Sequence, residues 1–273
     1  MSFDLKIVEQ MVREAVRQAV SGEDKVCVPL DRKPQRMMDA TEVHRVKKAT
    51  PARVAQGRVG TRYLTSTYMH LRAEHAVAID AVQSSVPIGW GEAQGCIGLA
   101  SRAKNHEEFL LYPDLGRRLD DESKKKLLQE GTRGADVQVI AGDGLSAHAL
   151  LMQAPLLLPF LDTALKEQGF STGKPIFVRF ARIGVQDEIG VLLGAKSTVI
   201  LVGERPGLGT GDSLSIYTAY SPKLSQDNAA KNCISNIREL GLSADVAAQD
   251  CARLMKRTFL AGGGGTHLLQ VRG

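Results

Sequence analysis

Two glycine-rich turns are the segments of this sequence best suited to bind a ligand. Residues 142–146 follow a β-rich run at 135–141, and residues 203–209 follow an apolar run at 197–202. Glycine lets the backbone approach a ligand closely, and amides at the start of a following helix can meet an anion. Since both turns could equally be plain strand-to-helix connections, they indicate a candidate cleft and no particular chemistry.

The sequence lacks the motifs of several familiar nucleotide-binding, catalytic and metal-binding sites. The dinucleotide fingerprint G-x-G-x-x-G fails because Ala147 holds its third glycine position, and the second turn contains Pro206. Walker A, H-E-x-x-H, G-x-S-x-G and EF-hand patterns are absent, so the sequence offers no catalytic residue and no metal site. Glu204 is the acid of most interest, although it could simply pair with Arg205. Cys233 lies in a short apolar segment, where a small buried hydrophobe is the commoner role.

The elements around the turns alternate between strands and helices. Residues 175–180, 197–202 and 213–220 are predicted strands, and residues 244–259 a closing helix. This alternation predicts an α/β fold with a largely parallel, Rossmann-like sheet flanked by helices and preceded by a helical N-terminal region. Such sheets bind ligands beyond the carboxyl ends of their strands, which is where both glycine turns fall.

Four segments make up the predicted organisation. Residues 1–20 form an amphipathic helix, residues 21–60 a linker and basic arm, residues 61–130 a helical region and residues 131–273 the α/β ligand-binding domain. The first helix could pack on its own domain or dock on a partner or shell. The basic arm is either a solvated surface or an interface for an acidic surface.

A longer helix is predicted over residues 64–82. Leu64, Tyr68, Leu71, His75, Ala78 and Val82 share one of its faces. A single histidine on an apolar face is more often a hydrogen-bonded core residue than a ligand or a base. We therefore expect His75 to be part of the core.

Composition narrows the class of protein. The 273 residues carry a net charge of +5 with 5% aromatic residues, which argues against a dedicated nucleic-acid binder. The four cysteines form no C-x-x-C pair, as expected for reduced thiols in a cytoplasmic protein. The apolar run at 149–161 is too short to span a membrane and contains Pro155 and Pro159, so no membrane association is expected.

Six strings, taken together and in order, resemble the small subunit of ethanolamine ammonia-lyase. They cover the chain from about residue 40 to the final helix, and their order and spacing are more specific than any one of them. The strings are ARVAQGR at 52–58, DLGRRL at 114–119, ADVQVI and GDGLS at 135–146, LGAK at 193–196, LVGERPGL at 201–208 and CISNI at 233–237.

This resemblance implies a function as part of a complex. The family uses adenosylcobalamin to convert ethanolamine into acetaldehyde and ammonia, and the radical chemistry belongs to the cofactor. A large subunit, a TIM barrel, carries the substrate site, and the small subunit covers the cofactor from the other side. The α/β domain at 131–273 would then bind cobalamin, and the chain would be inactive alone.

The resemblance also implies particular residues and a location. The cofactor contacts of the family fall on Ile183, Glu204 and Cys233, with Glu204 accepting hydrogen bonds from corrin amides and a valine in place of Ile183 in related chains. The D-x-H-x-x-G motif is absent, which implies that cobalamin keeps its own dimethylbenzimidazole ligand. Some related subunits carry an N-terminal segment that directs them into a bacterial microcompartment, so a cytoplasmic location inside such a shell is expected.

Two rival hypotheses remain at this stage. A doubly wound nucleotide-binding oxidoreductase would bind NAD or FAD, and the poor glycine match argues against it. A non-catalytic assembly or shell protein would bind no small molecule. Both depend on analogy between folds, which is weaker than the ordered strings.

Overall fold

The computed structural model describes residues 39–50 and 52–270. The chain divides into two units, Met1–Gly60 and Thr61–Gly273. Within the described part of the first unit, helix α1 (Ala40–Ala49) and the short strand β1 (Arg58–Val59) fall inside the predicted basic arm. The helix predicted over residues 1–20 and most of the linker lie outside the described residues.

The second unit holds the remaining elements. Its strands are β2 (Arg62–Tyr63), β3 (Ile97–Ala100), β4 (Val137–Gly142), β5 (Ile176–Arg179), β6 (Ser197–Gly203), β7 (Leu214–Tyr220) and β8 (Lys231–Ile237). Its helices are α2 (Thr65–Gln83), α3 (Trp90–Ala93), α4 (His106–Leu111), α5 (Asp121–Glu130), α6 (Ala147–Glu167), α7 (Val185–Leu193), α8 (Ala244–Ala261) and α9 (His267–Gln270). Short 3-10 turns lie at Leu115–Arg117 and Asn228–Ala230.

A six-stranded sheet organises this unit in the order β3-β5-β4-β6-β7-β8. The first four strands are parallel, and β7 and β8 extend the sheet in antiparallel fashion. Every residue of β4 and β6 is buried, as expected for central parallel strands that are covered on both faces. The prediction of an α/β fold with a mostly parallel sheet is therefore confirmed.

Two apolar layers cover the two faces of the sheet, and alternate residues of β4 and β6 point into each. Val139 and Leu201 pack on one side with α6 and α8, whereas Ile140 and Ile200 pack on the other with α5 and α7. This alternation follows from the two-residue period of a strand. Because helices cover both faces of the sheet, its backbone is accessible mainly at the ends of the strands.

Two strands of the six-stranded sheet, β3 and β8, were missed from the sequence. β3 has only four residues and includes Gly98, so its apolar pattern is too short to distinguish from a turn. β8 begins Lys-Asn-Cys and has several exposed positions, because it lies at the antiparallel edge of the sheet. Cys233 therefore lies on an edge strand.

Helix α6 continues through both of its prolines. Pro155 and Pro159 lie inside it, although each lacks the amide that an uninterrupted helix needs. Packing compensates, since Leu150, Leu157 and Leu161 are fully buried. By length and composition alone α6 is the one helix in residues 39–50 and 52–270 that could cross a membrane. The buried leucines pack in the core, whereas Met152, Leu156 and Phe160 on the same helix are exposed.

Helix α2 forms where it was predicted, but the prediction for its histidine is wrong. Only Ala81 is buried along its 19 residues, and His75 is exposed. The more shielded positions follow Leu71, Ala78 and Ala81, a stripe rotated away from His75. Because α2 packs on its own unit mainly through its C-terminal end, an apolar pattern in the sequence did not mean a buried face.

Candidate functional site

A cleft of about 1170 Å³ opens at the carboxyl ends of β4, β5 and β6 and continues along β7 and β8. This volume lies above the range of about 300–1,000 Å³ that is usual for small-molecule pockets. Residues from three strand ends and two strands line it, among them Gly144, Ile183, Glu204, Tyr217 and Cys233. The cleft is therefore suited to a large ligand.

The two glycine turns pack against each other beside this cleft. Gly144 has a left-handed φ of 61°, and a Cβ on it would collide with the backbone of Gly203. A Cβ on Gly203 would in turn collide with the carbonyl oxygens of Asp143 and Ser146. The Leu145 amide donates to the Gly203 carbonyl at 3.0 Å. The turns line the cleft as predicted. Gly144 and Gly203, however, are required for the close packing of the two turns rather than for the approach of a ligand.

Asp143 is a buried carboxylate in the first turn. Its two oxygens accept hydrogen bonds from the amides of Phe180 and Ala181 at 2.8 and 2.9 Å. Phe180 has a φ of 55°, so these bonds hold a strained residue at the end of β5. Burial raises the pKa of Asp143 to about 6, against the lowering effect of both amides. Asp143 thus fixes the loop that leads to Ile183.

Glu204 occupies the matching position one residue after β6. Its Oε1 accepts a hydrogen bond from the Ser215 hydroxyl at 2.5 Å and one from the Asn236 amide at 2.9 Å. The bonds tie the end of β6 to β7 and β8. Its Oε2 accepts no hydrogen bond from the part of the chain that the structure describes. The half-buried side chain lines the cleft, so this oxygen is available to a ligand that donates a hydrogen bond.

Cys233 and Tyr217 are neighbours across β7 and β8 and form part of the cleft wall. Burial raises the pKa of Tyr217 to about 12, and its hydrogen bond with Cys233 adds to the rise. Partial burial of the side chain also raises the pKa of the Cys233 thiol, against the lowering effect of its hydrogen bonds with Tyr217 and Ser215, although the residue as a whole is exposed. At neutral pH the thiol is protonated, which suits a packing contact better than nucleophilic chemistry.

Ile183 completes the set predicted from the sequence. It lies on the loop between β5 and α7, half-buried against the apolar layer that contains Ile200 and Val202. The structure therefore brings Ile183, Glu204 and Cys233, separated by at least 20 residues along the chain, to one cleft. The exposure of Cys233 is a correction to the buried small hydrophobe that its sequence context favoured.

Comparison with known proteins gives this cleft its family context. Residues 40–269 match the model of the ethanolamine ammonia-lyase light chain family. The chain belongs to this family. It is 39% identical over 214 residues to the ethanolamine ammonia-lyase small subunit of Clostridium acetobutylicum, a match that covers 78% of this chain and 88% of that one. The corresponding subunit of Fusobacterium nucleatum is 39% identical over 227 residues, covering 83% and 77%.

Membership makes the chain an ammonia-lyase subunit, as the ordered strings indicated. Sequence reasoning nevertheless missed several cleft residues of this light chain. A buried ion pair joins Lys231 to Asp187 at 2.9 Å, and Lys231 also donates to the Gln226 carbonyl at 3.2 Å. Burial raises the pKa of Asp187, and Lys231 opposes that rise. The pair anchors β8 to the start of α7, and nothing in the sequence signals a contact over 44 positions.

The light chain's cleft also contains more cations than its sequence pattern led us to expect. Its positive residues are Arg102, Arg117, Arg118, Arg182, Arg205 and Lys231. Two of these arginines belong to the string at 114–119, and Arg182 directly precedes Ile183. The family resemblance therefore included or adjoined these arginines, but the sequence analysis assigned them no role. The acids that line the cleft are fewer: Asp114, Asp187, Glu204 and Asp227.

The side chains that line the cleft define what a ligand could contact. Across residues 39–50 and 52–270, no three of the side chains His, Cys, Asp and Glu lie close enough together to hold a metal ion. Among the described residues that line the cleft, none is a histidine. The available groups are guanidinium donors, carboxylate oxygens that include Oε2 of Glu204, hydroxyls, a thiol and apolar surface.

Proposed function

We propose that this light chain holds adenosylcobalamin against the large subunit of an ethanolamine ammonia-lyase, which converts ethanolamine into acetaldehyde and ammonia. The observation that carries the proposal is the convergence of Ile183, Glu204 and Cys233 on one large cleft. Family resemblance selected all three positions, and the glycine turn after β6 had already drawn attention to Glu204. A random choice of three separated residues would rarely meet at one ligand-sized cleft.

The chemistry of the cleft fits this cofactor. A corrin is large, carries amide side chains at its edge and has one phosphodiester, so it needs space, hydrogen-bond acceptors and cations. The cleft offers about 1170 Å³, the free Oε2 of Glu204 and several arginines. When bound, adenosylcobalamin supplies the radical chemistry, and the protein supplies position and electrostatics. In this proposal cobalamin keeps its own dimethylbenzimidazole, as the family resemblance implies.

Each of the three residues has a distinct role in this proposal. Glu204 accepts a hydrogen bond from a corrin amide through Oε2 while Oε1 stays bonded to Ser215 and Asn236. Cys233, protonated at neutral pH, packs on the corrin edge and leaves it chemically unchanged. Ile183 supplies apolar contact, and Asp143 keeps the Ile183 loop in place through its bonds to the preceding amides.

A large-subunit partner is supported by the exposed apolar surface of α2. Tyr68, Met69 and Val77 are each more than half exposed, and a 19-residue helix that buries only Ala81 is poorly covered by its own unit. A helix whose own unit covers so few of its apolar side chains is a candidate surface for a partner. The substrate site then belongs to the large subunit, and this chain carries none of the catalytic residues.

Co-expression with a large subunit tests this function. The two chains together should produce acetaldehyde from ethanolamine only when adenosylcobalamin is present, and each chain alone should be inactive. Full activity of the large subunit alone would contradict the proposal and favour an assembly role. Activity of this chain with NAD or FAD in place of cobalamin would favour the oxidoreductase alternative.

Cellular location is a further part of the proposal. We propose a cytoplasmic protein inside a bacterial microcompartment, addressed there by the N-terminal helix predicted over residues 1–20 and docked on the shell. We also propose that the sheet belongs to the Rossmann-like class, as the sequence predicted. Deleting residues 1–20 should leave turnover intact and change location or solubility, whereas lost turnover would make that segment structural.

A further inference from the structure

One corner of the cleft is built from four arginines, which we name the arginine corner: Arg102, Arg117, Arg118 and Arg182. The turn at Leu115–Arg117 and the loop between β5 and α7 meet there. The Arg182 amide donates to the Gly116 carbonyl at 2.8 Å, and the Arg102 amide donates to the Arg118 carbonyl at 2.9 Å. Backbone bonds between separate segments therefore fix the arginines relative to one another.

The side chains of Arg117 and Arg182 cross between these two segments, and each needs a glycine on the other segment. A Cβ on Gly116 would lie 2.7 Å from Cγ of Arg182 and 2.9 Å from the Phe180 carbonyl oxygen. A Cβ on Gly184 would lie 3.2 Å from Cγ of Arg117. The corner is thus a packed arrangement that brings two guanidinium groups together.

Bringing two cations together has an electrostatic cost. The pKa of Arg182 is lowered, first by burial and then by Arg117. Arg182 lies 4.2 Å above the Phe109 ring and donates to the Phe109 carbonyl at 2.9 Å, yet its Nε is buried without a hydrogen-bond partner. Within the described residues no carboxylate lies within ion-pair distance of Arg182 or Arg102. An anion in the corner would relieve this repulsion.

Backbone amides add to the positive character of the corner. The amides of Ile183 and Gly184 donate to no acceptor in the described part of the chain, and they precede α7, which has no side-chain cap. Helix starts favour anions, and arginine matches phosphate oxygens in bidentate fashion. Arg117 is 56% exposed, and its partner Asp114 is 89% exposed, so their ion pair can open at little cost.

We infer that the arginine corner binds a phosphodiester of the ligand, with Arg117 and Arg182 as its principal contacts. This inference rests on the proposed function, because it assigns the corner to the phosphate in the nucleotide loop of cobalamin. It orients the cofactor, with the phosphate at the corner and the corrin edge at Glu204 and Cys233. Neither Arg117 nor Arg182 was selected from the family resemblance.

The test measures corrinoid binding to the assembled two-subunit complex by equilibrium dialysis. Three probes are compared: cobalamin, cobinamide phosphate, which keeps the phosphate alone, and cobinamide, which lacks it. The wild-type complex should bind cobinamide phosphate at least about ten times more tightly than it binds cobinamide, as expected for a charged hydrogen bond. Arg117→Gln should abolish most of that difference, and Arg117→Lys should restore part of it.

The matched control is Arg253→Gln on α8. Arg253 pairs with Asp250 three positions earlier, as Arg117 pairs with Asp114, but it does not line the cleft. This variant should retain the preference for cobinamide phosphate. Equal loss of both cobinamide probes in Arg117→Gln, or no preference in wild type, would overturn the phosphate assignment and leave the proposed function standing. Failure of the wild-type complex to bind any corrinoid would overturn the proposed function itself.

Discussion

The turns after β4 and β6 present the same chemistry in two different settings. Each strand ends in a glycine followed by an acid, Gly142 with Asp143 and Gly203 with Glu204. Asp143 is buried and uses both oxygens on backbone amides, whereas Glu204 is half-buried and uses only one. Equivalent positions at adjacent strand ends have therefore separated into a carboxylate that holds the fold and one that can also hold a ligand.

Gly203→Ala should have the largest effect, because it breaks the contact that joins the turns. Its Cβ would meet the carbonyl oxygens of Ser146 and Asp143, and neither backbone can move freely. We expect a loss of about 4 kcal/mol or more in the free energy of unfolding, with little soluble protein. Gly207→Ala, in the same turn, would meet only the Thr210 hydroxyl and should cost less than about 1 kcal/mol. Similar melting temperatures for the two variants would contradict the packing described.

The pH dependence of stability should identify Asp143 as the structural carboxylate. Its pKa rises from 3.8 in the unfolded chain to about 6 in the fold, so the native state holds the proton more tightly. The resulting stabilisation is complete below pH 3.8 and is lost as pH rises through 6, an upper limit of about 3 kcal/mol. Asp143→Asn should remove this slope when thermal unfolding is followed between pH 4 and pH 7. A slope that persists unchanged in Asp143→Asn would assign it to other groups.

Glu204→Ala should instead act on the ligand. Loss of a buried acceptor should weaken cobalamin binding by about 1–3 kcal/mol in the assembled complex. Ser215→Ala is the matched control, because it removes the internal hydrogen bond to Oε1 and leaves Oε2 in place. Binding titrations should therefore give a much smaller loss for Ser215→Ala. Equal losses would mean that Glu204 contributes only by tying β6 to β7.

Asp136 should have the smallest effect on stability, and its pH dependence should have the opposite sign to that of Asp143. Hydrogen bonds from Lys196 and Ser171 lower its pKa to about 2. Its stabilisation is present above pH 3.8 and is lost as pH falls through 2. Because the Lys196 side chain is 65% exposed, solvent screens the pair and only a slight effect is expected. Acid unfolding of Lys196→Met should begin at slightly higher pH than in wild type, and an identical acid midpoint would assign no stabilisation to this pair.

Much of the fold was predictable because its central strands have strong local signals. β4 and β6 are buried throughout and mostly apolar, since they are covered on both faces, and each ends in glycine. β3 and β8 lie at the two edges of the sheet, where short length and exposed positions weaken the pattern. His75 shows the limit of helical periodicity, which predicts a face but not what covers it.

The site divides in the same way. The glycine turns marked the cleft edge from local sequence, and resemblance supplied Ile183, Glu204 and Cys233. The Lys231–Asp187 pair and the crossing of Arg117 with Arg182 depend on which segments meet in space, and no local pattern encodes that. Even the division of roles between Asp143 and Glu204 follows from burial, which only the folded chain reveals.

Cobalamin affinity of the large subunit, measured with and without this chain, tests the central claim most directly. The account predicts that the pair binds the cofactor at least about tenfold more tightly than either chain alone, because each supplies only part of the contact surface. Equal affinity of the large subunit in the presence and absence of this chain would contradict a cofactor-holding role.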